Sequence, residues 1–380
     1  MNKHITLTLL FLLISIFSFG QRNRNAGFFT EIHLTQGGVI KSNDFVRGEN
    51  KEGKTIDNFS STDLRFGWQT QGNELWHHDL QLPYFGLGLY NIVFSNEDEI
   101  GYPSAVYFFF GSPFARYKNS SLDYEFSFGL SYNWKPYDDI NNPFNVAIGS
   151  YKNAYIDAQI KYVWYMSKRF TLDAGLRLTH FSNGAIRLPN KGINLIAPSL
   201  GIRYDIVPKT PYPFDEVKDQ KRTISNELSF LFSSGKRSVR GTTTPNEHMA
   251  SLFNVSVDYL IPTNNIFKYG FGLDFGLDES RNLLIDGNDI THPSITKQFF
   301  SGASVIGQFR AYRLGVQAGI GYEFFNDGKI YFTNQLYQRL GLRYYVYKDF
   351  FAGINIKARN FSVANYVEWN IGYTIPFEQR

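Results

Sequence analysis

The sequence predicts an all-β protein, an antiparallel up-and-down β-barrel that crosses a membrane with its strands. Three observations carry this reading. Apolar and polar residues alternate with period two over many stretches, Phe and Tyr are abundant (36 and 25 of 380 residues), and long and short connections alternate along the chain. A strand with lipid on one side and a polar interior on the other must change character at every residue. Abundant aromatics suit the girdles at the two membrane interfaces, where a soluble globule would have no use for so many.

The first element is a signal peptide. Met1, Asn2, Lys3 and His4 precede an apolar run from Ile5 to Phe17, which ends in Ser18-Phe19-Gly20-Gln21. A basic start, about a dozen apolar residues and small residues three and one before a cut have the anatomy of a secretory leader. Cleavage is expected after Gly20, giving residues 1–20 as signal and 21–380 as barrel. The run is short of the ~20 residues a spanning helix needs. With no cysteine in the chain, neither disulfides nor thiolate metal sites hold the exported protein together. A scattered net charge of +4 gives no reason to invoke nucleic acid.

The clearest strands come in succession. In Ala154 to Met166, Ala154, Ile156, Ala158, Ile160, Tyr162, Trp164 and Met166 share one face, and Tyr155, Asp157, Gln159 and Lys161 the other. After the tight turn Ser167-Lys168-Arg169, Leu172, Ala174, Leu176 and Leu178 oppose Thr171, Asp173, Arg177 and Thr179. The third sets Ile196, Pro198, Leu200, Ile202, Tyr204 and Ile206 against Ala197, Ser199, Gly201, Arg203 and Asp205. Similar stretches lie near Phe28–Thr35, Thr62–Thr70, Leu82–Phe94, Ala105–Gly111, Leu122–Trp134, Ile224–Phe232, Leu252–Ile261, Ile266–Leu277, Gln298–Phe309, Tyr312–Phe324, Ile330–Tyr345, Phe350–Lys357 and Ala364–Pro376. That makes about 14–16 strands, an even number as such barrels require.

Long connections after Trp134, Ser182, Ser234 and Glu279 alternate with tight ones at 167–169, 262–265 and 348–349, as expected if the first strand rises from the periplasm. Val207 to Arg222 breaks the rule, being long for the inner side. It reads as an ordinary long turn or as the seam between two eight-stranded units. A single closed barrel is the preferred expectation, since two barrels would need two sets of closing edges.

One cluster stands apart from this pattern. The stripe Leu172, Ala174, Leu176, Leu178 continues in register into His180 and Ser182, so both point outward. Residues two apart on a strand lie about 6.5–7 Å apart on one face, which lets an imidazole reach a hydroxyl. A His beside a Ser is the minimal base-and-nucleophile pair. The bland alternative is a strand end turning polar where it leaves the hydrocarbon.

From His180 the chain runs His180-Phe181-Ser182-Asn183-Gly184-Ala185-Ile186-Arg187-Leu188-Pro189-Asn190-Lys191-Gly192-Ile193-Asn194. This resembles the active-site segment of the outer-membrane lipid A 3-O-deacylases, the PagL-type acyloxyacyl hydrolases, in its His-x-Ser-Asn start and following Pro-Asn-x-Gly. The resemblance is specific over these fifteen residues and looser from about Phe28 to Ile206. The strands at 223–377 have no counterpart in the family's small eight-stranded form.

The resemblance implies a carboxylic ester hydrolase without cofactor, whose partner is lipopolysaccharide. In it Ser182 attacks an ester carbonyl, that of a 3-O-linked hydroxyacyl chain, and His180 takes its proton. The family's third member is a glutamate, and the aligned residue here is Asn194, an amide that fixes the tautomer of the imidazole without stabilising its charge. Asn183, Ala185 and Asn190 match positions around the oxyanion; as Asn-Gly and Pro-Asn pairs they also read as plain turn formers. Arg187 and Lys191 suit the glucosamine phosphates or stand as solvated loop cations. His77-His78 follow Trp76 in a turn, and His33, His248 and His292 stand isolated, so no metal is expected. A non-enzymatic pore, suggested by lumen residues Asp157, Lys161, Asp173 and Arg177, is the competing reading.

Overall fold

The structure, a computed structural model, describes residues 27–208, 225–240, 247–286, 289–292, 294–325, 335–359 and 363–378. The proposed signal and most of Val207–Arg222 lie outside the described residues.

Among the described residues sixteen membrane-length strands form two closed antiparallel barrels of eight. The first contains β1 (Gly27–Ile40), β2 (Asn58–Gln69), β3 (Tyr84–Phe94), β4 (Gly101–Arg116), β5 (Ser120–Trp134), β6 (Asn153–Tyr165), β7 (Phe170–Ser182) and β8 (Ile193–Asp205). The second contains β9 (Ser225–Arg240), β10 (Glu247–Pro262), β11 (Phe267–Asp278), β14 (Phe299–Ala311), β15 (Leu314–Phe325), β16 (Leu336–Tyr347), β17 (Phe350–Arg359) and β18 (Val363–Glu378). A small hairpin, β12 (Leu284–Asp286) and β13 (Asp289–Thr291), stands on the long connection after β11. No helix among the described residues is long and apolar enough to cross a membrane.

The barrel class and strand number agree with the alternation. The preference for one barrel does not: β8 turns back onto β1, from Phe29↔Asp205 to Ile40↔Asn194, and β18 closes on β9. The expectation failed because closure creates no edge. Each seam satisfies its own backbone groups, so a second barrel carries no edge penalty. Eight strands enclose a space that side chains just fill, and these chains supply the filling.

In barrel one, Arg65 donates to Glu125 (2.6 Å) and to Tyr107 Oη (2.8 Å), Lys161 pairs with Glu125 (3.0 Å), and Arg177 pairs with Asp63 (2.6 Å) and Asp157 (3.0 Å). In barrel two, Glu323 faces Lys357, Arg281 and Arg359, each at 2.7 Å. The lumen charges that suggested a pore are locked against one another in buried pairs.

Above its ionic layer barrel one carries an apolar deck. Three short helices stand on its connections: α1 (Asp44–Arg47), α2 (Leu75–Asp79) and α3 (Glu97–Ile100). α1 and α3, at the end that carries the β7–β8 connection and that the loop pattern reads as the outer end, drive Phe45, Val46 and Ile100 into a buried cluster with Phe94, Trp134, Ile148, Phe181 and Ile193. α1 has a ready start signal: the Asn43 side chain accepts from the Val46 N–H at 3.2 Å, a helix cap.

The barrels touch at both ends. At the inner end Trp76, at α2, stacks on Tyr312 (5.9 Å between centroids), Phe110 meets Phe309, and Asn265 donates to Asp79 at 3.2 Å. At the outer end the Ser238 N–H donates to the Ala185 carbonyl at 3.1 Å. The two barrels therefore stand side by side in the same orientation.

Candidate active site

β7 and β8 set the site through pairing register. His180 lies directly opposite Asn194, and a cross-strand pair places two side chains on one face. His180 Nδ1 and Asn194 Oδ1 are 2.7 Å apart. The amide is itself oriented, because Asn194 Nδ2 donates to Ser42 Oγ at 3.0 Å. An amide oxygen only accepts, so the proton sits on Nδ1 and Nε2 is left with its lone pair.

What turns His180 and Ser182 outward is the residue between them. Phe181 is fully buried, packed on Trp134 (4.9 Å) and Tyr155 (5.6 Å) inside the barrel. With one neighbour drawn inward, both others must face the opposite way. Below them Leu176, Leu178, Ile196 and Ile40 are exposed on the same outer face. No direct hydrogen bond joins Ser182 to His180 among the described residues.

The connection after Ser182 folds on its own amides. Asn183 O accepts from the Ile186 N–H at 3.3 Å, closing a turn whose central residues, Gly184 (φ 64°) and Ala185 (φ 63°), are both left-handed. Two positive φ values define a type I′ turn, a conformation in which Ala185 carries strain. Asn190 Oδ1 accepts the backbone N–H of Asn183 at 2.9 Å. Asn190 thus braces the turn, and the Asn183 N–H is committed. The N–H groups of Gly184 and Ala185 make no hydrogen bond among the described residues. Asn183 Nδ2 donates to Arg187 O at 2.8 Å.

The other end of the connection is tied to the deck. Gly192 N–H donates to Ala147 O at 2.9 Å, Lys191 N–H to Val146 O at 3.1 Å, and Asn43 Nδ2 to Gly192 O at 2.8 Å. Gly192 has φ 73°, and a side chain there would lie 2.9 Å from His180 Cε1. Glycine is what lets the ring lie against the chain. Lys191 Nζ is 2.8 Å from Asp44 Oδ2; the hydrogen bond from this ammonium holds the Asp44 carboxyl below the usual carboxylate range. Arg187 is exposed.

Ser42, Asn43 and Ser238 went unnoticed in the sequence. The Ser42-Asn43-Asp44 start before Phe45-Val46 is a helix-cap signal, but nothing local ties it to residues 150 positions away. His33, His248 and His292 are corrected. Inside barrel one His33 Nε2 lies 3.2 Å from Glu31 and 3.4 Å from Asp173, and at the outer end of barrel two His248 and His292 converge with Glu279. Strand pairing and a returning loop brought together residues far apart in sequence. His77 lies in α2, where burial pushes its imidazole down to about 4.

The fold and the site define a membrane barrel with outward-facing histidine and serine at one rim. Residues 60–203 match the family model described as lipid A 3-O-deacylase (PagL), and residues 226–378 match that of the acyloxyacyl hydrolase C-terminal domain. The chain belongs to the PagL lipid A deacylase family, a family of outer-membrane hydrolases acting on lipid A. No curated protein matches it. Among solved structures, a mutant of the Rhodopseudomonas blastica porin is 10% identical over 92% of this chain and 100% of its own, at a TM-score of 0.18. An outer membrane channel from Pseudomonas putida F1 is 10% identical over 92% and 96%, at 0.20. The Pseudomonas putida toluene transporter TodX is 9% identical over 92% and 88%, at 0.19.

Proposed function

We propose that the protein, exported by its N-terminal signal, is a Ser/His esterase that removes the 3-O-linked hydroxyacyl chain of lipid A in the outer leaflet. Ser182 Oγ attacks the ester carbonyl carbon while its proton passes to His180 Nε2. The carbon–oxygen bond to the sugar then breaks, and the imidazolium returns the proton to the leaving sugar hydroxyl. Water, activated by His180, hydrolyses the acyl-serine and frees the hydroxy fatty acid. Asn194 holds the tautomer throughout. Negative charge on the carbonyl oxygen is met by the N–H groups of Gly184 and Ala185, with the Asn190 amide nitrogen beside them. Asn183 shapes the turn through its side chain.

The observation that carries this reading is the 2.7 Å contact of His180 Nδ1 with an oriented Asn194 oxygen, on the outer wall above exposed Leu176, Leu178 and Ile196. An acyl chain lying along that apolar stripe need not leave the bilayer to present its ester. The test is mass spectrometry of lipid A after incubating the purified protein in lipopolysaccharide vesicles. Loss of one hydroxyacyl chain is expected, abolished by Ser182→Ala; a Ser182→Ala protein that still releases the chain ends the proposal.

A further inference from the structure

The seam that closes the second barrel lies against the first barrel's site. β18 pairs with β9 from Glu378↔Ser225 up to Val367↔Lys236, and β9 runs on to Arg240 beside β10. The Ser238 N–H in this stretch donates to Ala185 O at 3.1 Å, and a side chain at Gly184 would collide with Val367. The turn of barrel one packs against the upper part of this seam.

We infer that barrel two is a positioning element for the reaction, Ser238 and Val367 holding the strained Gly184–Ala185 turn so that its N–H groups face the substrate. The inference rests on the esterase reading above. A left-handed alanine persists only where surrounding structure over-determines it, and the carbonyl of that alanine is the atom barrel two grips. Misplacing such donors by about 1 Å costs roughly 100-fold in rate.

Two variants test it. Ser238→Pro removes the N–H and is expected to lower the rate constant for acyl release about 10- to 100-fold with little change in KM. Barrel folding is checked by the heat-dependent shift of the band in detergent gels. Because the chain has no cysteine, Ala185→Cys with Ser238→Cys reports the contact directly as an oxidant-driven cross-link in membranes. Full activity in a folded Ser238→Pro protein, or absence of the cross-link, overturns the inference. Retained activity in Ser182→Ala overturns the esterase reading instead.

A separate observation concerns the outer end of barrel two. His248, near the start of β10, Glu279, after β11, and His292, on the excursion carrying β12 and β13, bring their ligand atoms within 4.8 Å of one another. His292 Nδ1 is 3.2 Å from Glu279 Oε1, the Ser251 N–H holds Glu279 Oε2 at 2.8 Å, and His248 Nε2 has no hydrogen-bond partner among the described residues. Two imidazoles and a carboxylate already oriented by backbone form a three-ligand set for a divalent transition metal such as zinc, with a fourth position open. The geometry points to a zinc site that clasps the excursion to the rim. Full-length protein stripped with chelator and dialysed against zinc is expected to retain about one ion per chain by elemental mass spectrometry, and His248→Ala with His292→Ala to retain none. Equal retention by both proteins, or none by either, overturns it.

Discussion

The two barrels share strand number, direction and closure, yet they are filled differently. Barrel one stacks an apolar deck, Phe45, Ile100, Trp134, Phe181 and Ile193 among others, over its ionic layer. Among the described residues barrel two has only small apolar clusters, such as Leu231, Tyr345 and Phe351, and relies on carboxylates surrounded by cations, with Arg339 on Asp274 and Arg343 on Asp258 besides the Glu323 group. The candidate site sits on the barrel with the deck. Packed aromatics restrict side-chain directions because interiors are close-packed. Under the proposed function, one wall places a base and a nucleophile and the other buttresses it.

The comparison breaks most visibly if chemistry is not confined to barrel one. His180→Ala is expected to lower acyl release by at least about 10³-fold in the vesicle assay with the barrel intact; an active variant would remove the asymmetry. Stability is the next probe. Phe181→Ala, which empties the deck under the site, is expected to destabilise by about 3–5 kcal/mol, while Leu231→Ala falls at the lower end of the 2–5 kcal/mol range for an aliphatic residue. Glu323→Gln, which strips three cations of their counter-charge, is expected to cost about 3–5 kcal/mol. Urea unfolding in detergent followed by tryptophan fluorescence ranks the three.

Finer still is Asn194. Restoring a carboxylate with Asn194→Glu is expected to raise turnover several-fold by stabilising the imidazolium, and Asn194→Ala to lower it about tenfold, an ordinary hydrogen bond's worth; initial rates decide. The smallest effect belongs to Asp44→Asn. Lys191 lowers the Asp44 carboxyl, so the tether it gives the site connection is complete at neutral pH and is lost as pH falls through the depressed value. Being exposed, it should change initial rates at neutral pH less than about twofold and vanish in high salt.

The alternation determined a great deal by itself. Because a strand has period two and the membrane separates its faces, Leu176, Leu178, His180 and Ser182 were assigned outward, and Arg177 and Thr179 inward, without coordinates. The His-Phe-Ser-Asn start and the Asn at 194 were legible for the same reason, being local in sequence. Tertiary structure alone decided the rest. Whether β8 pairs with β1 or passes on to β9 depends on how side chains fill the enclosed space, a property of the whole interior that no single strand encodes. The support from Ser42, Asn43, Ser238 and Val367 arises where distant segments meet, since hydrogen bonds and packing respond to proximity in space and leave no periodicity in the chain.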